Sequence, residues 1–144
     1  VPTDDQARAA DELTDVIARF HRRLRAASAA AEDELTPSQV SVVARLGRDG
    51  PATTAALARA EIVRPQSMRT TLAALEERGL VDRRPHPTDG RQVVFSLTEQ
   101  GALLRGTGRR ARRGWLAEAI EAELSPADQR RLAEALPVLR RLVP

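Results

Sequence analysis

Along the first part of the chain Leu13, Val16, Ile17, Phe20, Leu24, Ala27 and Ala31 recur at steps of three and four. That stripe predicts an amphipathic helix over about 4–32. At ~1.5 Å per residue it reaches ~40 Å, long enough to need a partner along its apolar face, so a second subunit is expected. Thr36-Pro37-Ser38-Gln39 carries the signals of a helix start: a capping hydroxyl, a proline suited to the first position and a glutamine able to close a capping box. Val40, Val43 and Ala44 form a short apolar face behind it, and Gly47 to Pro51 reads as a stop and turn. Residues 53–60 predict a short helix begun by Thr53 or Thr54. Pro65 opens another helix to about Arg78, with Met68, Leu72 and Leu75 facing inward and Gly79 ending it.

The period then falls to two. Leu80 to Arg84 is a strand candidate, residues 85–91 are turn chemistry, and Val93, Phe95 and Leu97 alternate in a second strand from Gln92 to Leu97. Together they predict a hairpin stiffened by Pro85 and Pro87 and turned at Asp89-Gly90. Thr98 caps a long helix to about Glu123. Ser125 caps a last one, with Leu132, Leu136, Leu139 and Leu142 on one side and a kink expected at Pro137. No internal repeat, low-complexity tract or linker interrupts the pattern, so residues 1–144 read as one domain.

Composition narrows the chemistry. All 23 basic residues are Arg, against 20 Asp plus Glu, for a net charge of +3. With no Cys, a disulfide scaffold, a thiolate zinc site and a cysteine nucleophile are excluded. His21 and His86 lie far apart with no ligand cluster around them, so no metal is expected. No nucleophile–base pair and no glycine-rich phosphate loop is present; the chain reads as a non-enzyme without a cofactor. No apolar run approaches the ~18–20 residues of a membrane span, and the acidic N-terminus is unlike a secretory signal, so a cytoplasmic protein with no membrane partner is expected. Residues 1–35 carry 8 acidic and 5 basic groups, whereas 36–97 carry 6 and 9. The run Arg109-Arg110-Ala111-Arg112-Arg113 reads as a solvated or partner-paired helix face. Trp115, with Leu116 and Ile120, reads as a core or dimer anchor, with a ligand-pocket wall as the alternative.

Two short helices joined by a tight turn and followed by a hairpin make a winged helix-turn-helix. Such a unit lays its second helix in the DNA major groove, its N-terminal residues facing base edges. Here those residues are Arg64, Pro65, Gln66, Ser67, Arg69 and Thr70. Arg pairs bidentately with guanine, Gln with adenine, and Ser or Thr bonds phosphates or bases. The hairpin adds Arg83, Arg84, His86 and Arg91, and a tip arginine suits the negative potential of the minor groove. Asp89 is expected to hold a guanidinium in place. The competing reading is a winged-helix adaptor that binds protein without specific DNA binding.

Residues 36–101 resemble the winged helix-turn-helix core of the MarR family of bacterial transcription regulators. The resemblance rests on Leu75-Glu76-Glu77-Arg78-Gly79-Leu80-Val81-Asp82-Arg83, on Pro87-Thr88-Asp89-Gly90-Arg91, and on Leu97-Thr98-Glu99-Gln100-Gly101. It implies a mainly α fold with a small β-hairpin wing, in which residues 1–35 and 98–144 are dimerisation helices and 36–97 the DNA-binding lobe. It also implies a homodimer, here joined through Leu13, Val16, Ile17, Phe20, Leu132, Leu136, Leu139 and Leu142. Such a dimer would be a repressor on a pseudo-palindromic operator, with the 65–78 helix in the major groove and the 82–92 wing in the minor groove. Arg91 matches the family's wing-tip arginine and Asp89 its supporting aspartate. Release of DNA by a small phenolic or lipophilic effector, bound between the dimer helices and the lobe, is a further implication. Without Cys, the peroxide-sensing thiol branch of the family does not apply.

Overall fold

The computed structural model describes residues 1–32 and 35–143; the parts of the expected 1–35 and 98–144 segments at 33, 34 and 144 lie outside them. The elements run α1 (Asp4–Glu32), α2 (Pro37–Asp49), β1 (Ala52–Thr53), α3 (Thr54–Ala60), α4 (Pro65–Glu77), β2 (Val81–Pro85), β3 (Val93–Leu97), α5 (Glu99–Glu123) and α6 (Pro126–Arg140). They fall into two compact units, one of Val1–Ala27 with Arg110–Pro144 and one of Ser28–Arg109. The boundaries lie inside α1 and α5.

In the second unit the starts of α2 and α3 are set locally. The Thr36 hydroxyl accepts the Gln39 amide at 3.3 Å and the Gln39 side chain accepts the Thr36 amide at 3.0 Å, a closed capping box. Thr53 caps α3 through the Ala56 amide at 3.2 Å. The sheet has three strands in the order β1-β3-β2, all antiparallel, with Ala52 opposite Phe95 and Arg83 also opposite Phe95 from the other side. β1 is absent from the hairpin expected of the sequence, because a two-residue strand has too few positions for an alternation to show.

Apolar burial is concentrated in this unit. Leu57 and Leu75 are fully enclosed, with Val42, Met68, Leu72, Leu80 and Val81 nearly so. Each such side chain is worth roughly 1.5–3 kcal/mol when taken from water. On α2 the buried residues are Val42, Val43 and Leu46 rather than the expected Val40, Val43 and Ala44. The stretch from Val40 to Leu46 is so nearly continuous in apolar residues that periodicity alone leaves the phase open. Val40 and Ala44 sit half-buried on the shoulders.

The junction of α4, wing and α5 uses three backbone contacts. Gly79, at φ 71°, turns the chain out of α4 while Leu80 donates back to the Leu75 carbonyl at 3.0 Å. The Thr98 hydroxyl donates to the Gly79 carbonyl at 2.6 Å and accepts the Gly101 amide at 3.1 Å. Gly101 lets the Leu80 carbonyl pack against α5, since a Cβ there would stand 2.1 Å from that oxygen.

In the first unit the Phe20 and Trp115 rings meet edge to face, centroids 6.5 Å apart, and the Arg23 guanidinium lies 5.4 Å from the Trp115 centroid. No apolar side chain described there is fully buried. Val16, Ile17, Phe20, Leu136, Leu139 and Leu142 remain exposed, while Leu13 and Leu132 are half-buried. α6 is helical on both sides of Pro137, the position at which the sequence predicts a kink. No helix among the described residues is long and apolar enough to cross a membrane.

Candidate nucleic-acid interface

α4 divides its residues cleanly by phase. Met68, Leu72 and Leu75 face the core, while Arg64, Pro65, Gln66, Ser67, Arg69 and Thr70 are exposed. Arg64 is the N-cap and makes no side-chain cap bond, so amides of the first turn are left for an outside acceptor. Arg69 donates to the Gln66 side chain at 3.3 Å, which pre-sets both groups on one face. The Thr70 hydroxyl donates to the Gln66 carbonyl at 3.2 Å and keeps its oxygen free to accept.

The wing loop is built around two side chains. His86 Nδ1 accepts the amides of Thr88 at 3.2 Å and Asp89 at 3.1 Å. Asp89 accepts the Arg91 backbone amide at 3.1 Å and the Gln92 side-chain amide at 3.0 Å. Its carboxyl is held below the usual range, first by the hydrogen bond from the Arg91 amide and then by that from the Gln92 side chain. The expectation that Asp89 grips a guanidinium is therefore corrected. It closes an Asx-type turn on the backbone two residues on, and the exposed Arg91 side chain has no partner among the described residues.

Arg83 and Arg84 differ from Arg91. Arg83 forks onto Glu76 at the end of α4, through Nε at 2.7 Å and Nη2 at 2.5 Å, and Glu76 is held below its usual pKa mainly by those hydrogen bonds. Arg84 lies 3.5 Å from Asp82 with most of its side chain exposed. Thus the structure brings Arg64, Gln66, Ser67, Arg69, Thr70, Arg84 and Arg91 to the surface of one unit unburied, whereas Arg83, His86 and Asp89 are engaged in holding α4 and the wing. Glu76 and Gln92 are members that the sequence pattern did not reveal, because pairs seven and three residues apart across a turn leave no periodic mark.

The helix-turn-helix corner is tied down from behind. Glu61, after α3, receives hydrogen bonds from the Ser41 hydroxyl and the Arg45 guanidinium of α2. Burial alone would raise the Glu61 pKa, but the bonds from Ser41 and Arg45 and the nearby guanidinium charges outweigh it and lower the value. A carboxylate with a depressed folded pKa contributes stability that is complete above its unfolded value and is lost as pH falls through the folded one. Glu61→Gln is expected to cost roughly 1–2 kcal/mol at neutral pH, between the surface and buried limits for ion pairs. The gap from the unsubstituted protein should narrow below about pH 4, where Glu protonates. Urea unfolding at pH 3 and pH 7 checks this; an equal gap at both would refute it. Between α2, this corner and α4 lies an open cavity of about 260 Å³ whose lining includes Ser41, Val42, Val63, Ser67, Met68 and Thr71.

Among the described residues no cluster of His, Asp or Glu is arranged to hold a metal. The arrangement presents an exposed polar helix face beside a basic wing.

Comparison with known proteins agrees in sequence and in shape. Residues 35–93 match the sequence profile of the MarR family. An HTH-type transcriptional regulator of Mycobacterium tuberculosis is 41% identical over 140 residues, covering 97% of this chain and 96% of the relative. The crystal structure of a protein described as a transcriptional regulator from Pseudomonas aeruginosa superposes with a TM-score of 0.84 at 30% identity, covering 98% of this chain and 97% of that one. The apo form of MarR from E. coli shares the fold, with a TM-score of 0.70 at 20% identity over 92% of this chain and 97% of its own.

Proposed function

The chain belongs to the MarR family of DNA-binding transcription regulators and is not an enzyme, and from that premise we propose that it acts as a homodimeric repressor on a pseudo-palindromic operator. In this reading α4 enters the major groove and the wing reaches the minor groove. One observation carries it: on a single unit, the exposed set Arg64, Gln66, Ser67, Arg69 and Thr70 lies back to back with the buried Met68, Leu72 and Leu75, while the exposed Arg91 side chain in the wing has no partner among the described residues. A protein-binding adaptor would not need an exposed arginine at the tip of so ordered a turn. Working on the chromosome, the protein acts in the cytoplasm.

Dimerisation is supported by the stripe of Val16, Ile17, Phe20, Leu136, Leu139 and Leu142, exposed in the single chain. Large apolar side chains left exposed along two helices are what an interface would cover. The two recognition helices then lie about 34–36 Å apart, one turn of DNA. A small lipophilic or phenolic effector would release the DNA. The cavity behind α4, with an apolar floor at Val42 and Met68 and hydroxyls from Ser41, Ser67 and Thr71, has the mixed lining of a small-ligand site.

Binding to duplexes carrying inverted repeats, followed by fluorescence anisotropy against salt, tests the reading. Affinity should fall by about 0.9 log units per log unit of salt for each phosphate neutralised. Arg69→Ala should cost on the order of 1–3 kcal/mol and relax preference at one base pair. A flat salt dependence, or a monomer in sedimentation at micromolar concentration, would overturn it.

A further inference from the structure

The two helices of the helix-turn-helix end in the same way, but with different residues. At the end of α4 the Gly79 amide bonds the Glu76 carbonyl at 2.9 Å and the Leu80 amide bonds the Leu75 carbonyl at 3.0 Å. At the end of α3 the Ile62 amide bonds the Arg59 carbonyl at 3.3 Å and the Val63 amide bonds the Ala58 carbonyl at 3.0 Å. Both are Schellman caps, which place one residue in the left-handed region. In the first that residue is Gly79, at φ 71°; in the second it is Ile62, at φ 55°. Among the described residues Ile62 is the one non-glycine with positive φ.

A β-branched residue is among the least suited to that conformation, where its Cβ crowds the following carbonyl. Burial does not compensate, because Ile62 is 92% exposed. The neighbouring Val63 lines the cavity between α2 and α4. Ile62 thus holds a strained backbone and a bare apolar side chain at a site where glycine would serve the fold as well or better. It stands two residues before Arg64, where the exposed set of α4 begins.

We propose that Ile62 is a DNA-contacting residue: the cap of α3 presents its aliphatic side chain to the duplex beside the first turn of α4. The surface it meets is the apolar part of DNA, a thymine C5 methyl or the carbons of deoxyribose. This rests on the reading that α4 and the wing face DNA, and it adds an apolar contact that the polar residues of α4 do not supply.

The test uses the full chain and a duplex selected by that chain from a random-sequence pool. Ile62→Gly and Ile62→Asn both suit the left-handed conformation, so each should keep or raise the melting temperature. Each should weaken binding to the selected duplex roughly 5- to 20-fold, the scale of one lost apolar contact. Deoxyuridine replaces each thymine of the half-site in turn. A thymine contact shows as one position where the replacement weakens the original protein but not Ile62→Gly. A deoxyribose contact shows as the same loss in Ile62→Gly with no dependence on any thymine methyl. A fall in melting temperature in both variants would mean the side chain serves the fold, and unchanged DNA affinity would mean it does not touch DNA; either result overturns the proposal. Arg69→Ala and Arg91→Ala are measured on the same duplex. If they lose affinity and the Ile62 variants do not, the inference fails while the DNA-facing reading stands. If none loses affinity, that reading itself is wrong.

Discussion

Gly101→Ala is expected to destabilise the winged-helix unit by on the order of 3 kcal/mol, the upper range for overpacking at a closed site. The sign runs against helix propensity, which favours alanine over glycine by about 1 kcal/mol inside a helix. What reverses it is the Leu80 carbonyl, which would stand 2.1 Å from the new Cβ, with the Leu80 carbonyl carbon at 3.1 Å. Both are backbone atoms, fixed by the Thr98 amide bonded to the same carbonyl at 3.1 Å and by the cap at Gly79. Relief would require α5 to move away from the base of the wing. Gly114, on the same helix with nothing within 4 Å of its would-be Cβ, is the control. Gly114→Ala should raise stability by about 0.5–1 kcal/mol. Urea denaturation of the two variants checks the pair of signs. A Gly101→Ala protein as stable as the parent would show that the contact at Leu80 is loose.

Arg91→Ala is expected to weaken operator binding roughly 10- to 100-fold while leaving the fold intact. The guanidinium is exposed and has no partner among the described residues, so its removal leaves no described buried group unsatisfied. On the proposed reading, the attraction it would lose is to the narrow, negative minor groove. Asp89 gives the complementary result. Asp89→Ala removes the acceptor for the Arg91 amide and the Gln92 side chain, and should lower affinity through a disordered wing even though it deletes a negative charge. Asp89→Asn keeps an acceptor oxygen for the amide and should restore most of the binding. Anisotropy titrations with the selected duplex read all three. An Asp89→Ala protein that binds more tightly would mean its charge, and not its turn, is what DNA experiences.

The parts of the fold visible in the sequence are those decided by neighbours. Thr36, Thr53 and Ser125 each cap through amides three residues on, and Gly79 and Pro65 act where they stand, so helix ends could be read within a residue or two. The phase of α2 could not, because its apolar run admits more than one face until β3 and α4 select Val42, Val43 and Leu46. The candidate site divides the same way. Exposure of Gln66, Ser67, Arg69 and Thr70 follows from the helical phase of Met68, Leu72 and Leu75. The task of Arg83 does not, since its partner Glu76 lies across the turn at Gly79. Asp89 and Arg91 were legible as a pair, but which atoms of Arg91 the carboxylate takes depends on how tightly the loop closes. Ile62 looks like any apolar residue until its backbone angle is known.

The bond between Arg83 and Glu76 ties α4 to the wing, so on the proposed reading the two DNA-facing elements form a single gauge. With Thr98 and Gly79 locking the same corner, the span from the first turn of α4 to the tip at Arg91 is set by the protein. A duplex engaging both ends must bring its major and minor grooves to that span, and the energy of doing so depends on how readily its base steps twist and narrow. Base pairs lying between the two contacts, touched by no side chain, would then be selected for stiffness or pliancy. Loosening the gauge with Glu76→Gln would flatten that preference and leave the directly read bases unchanged.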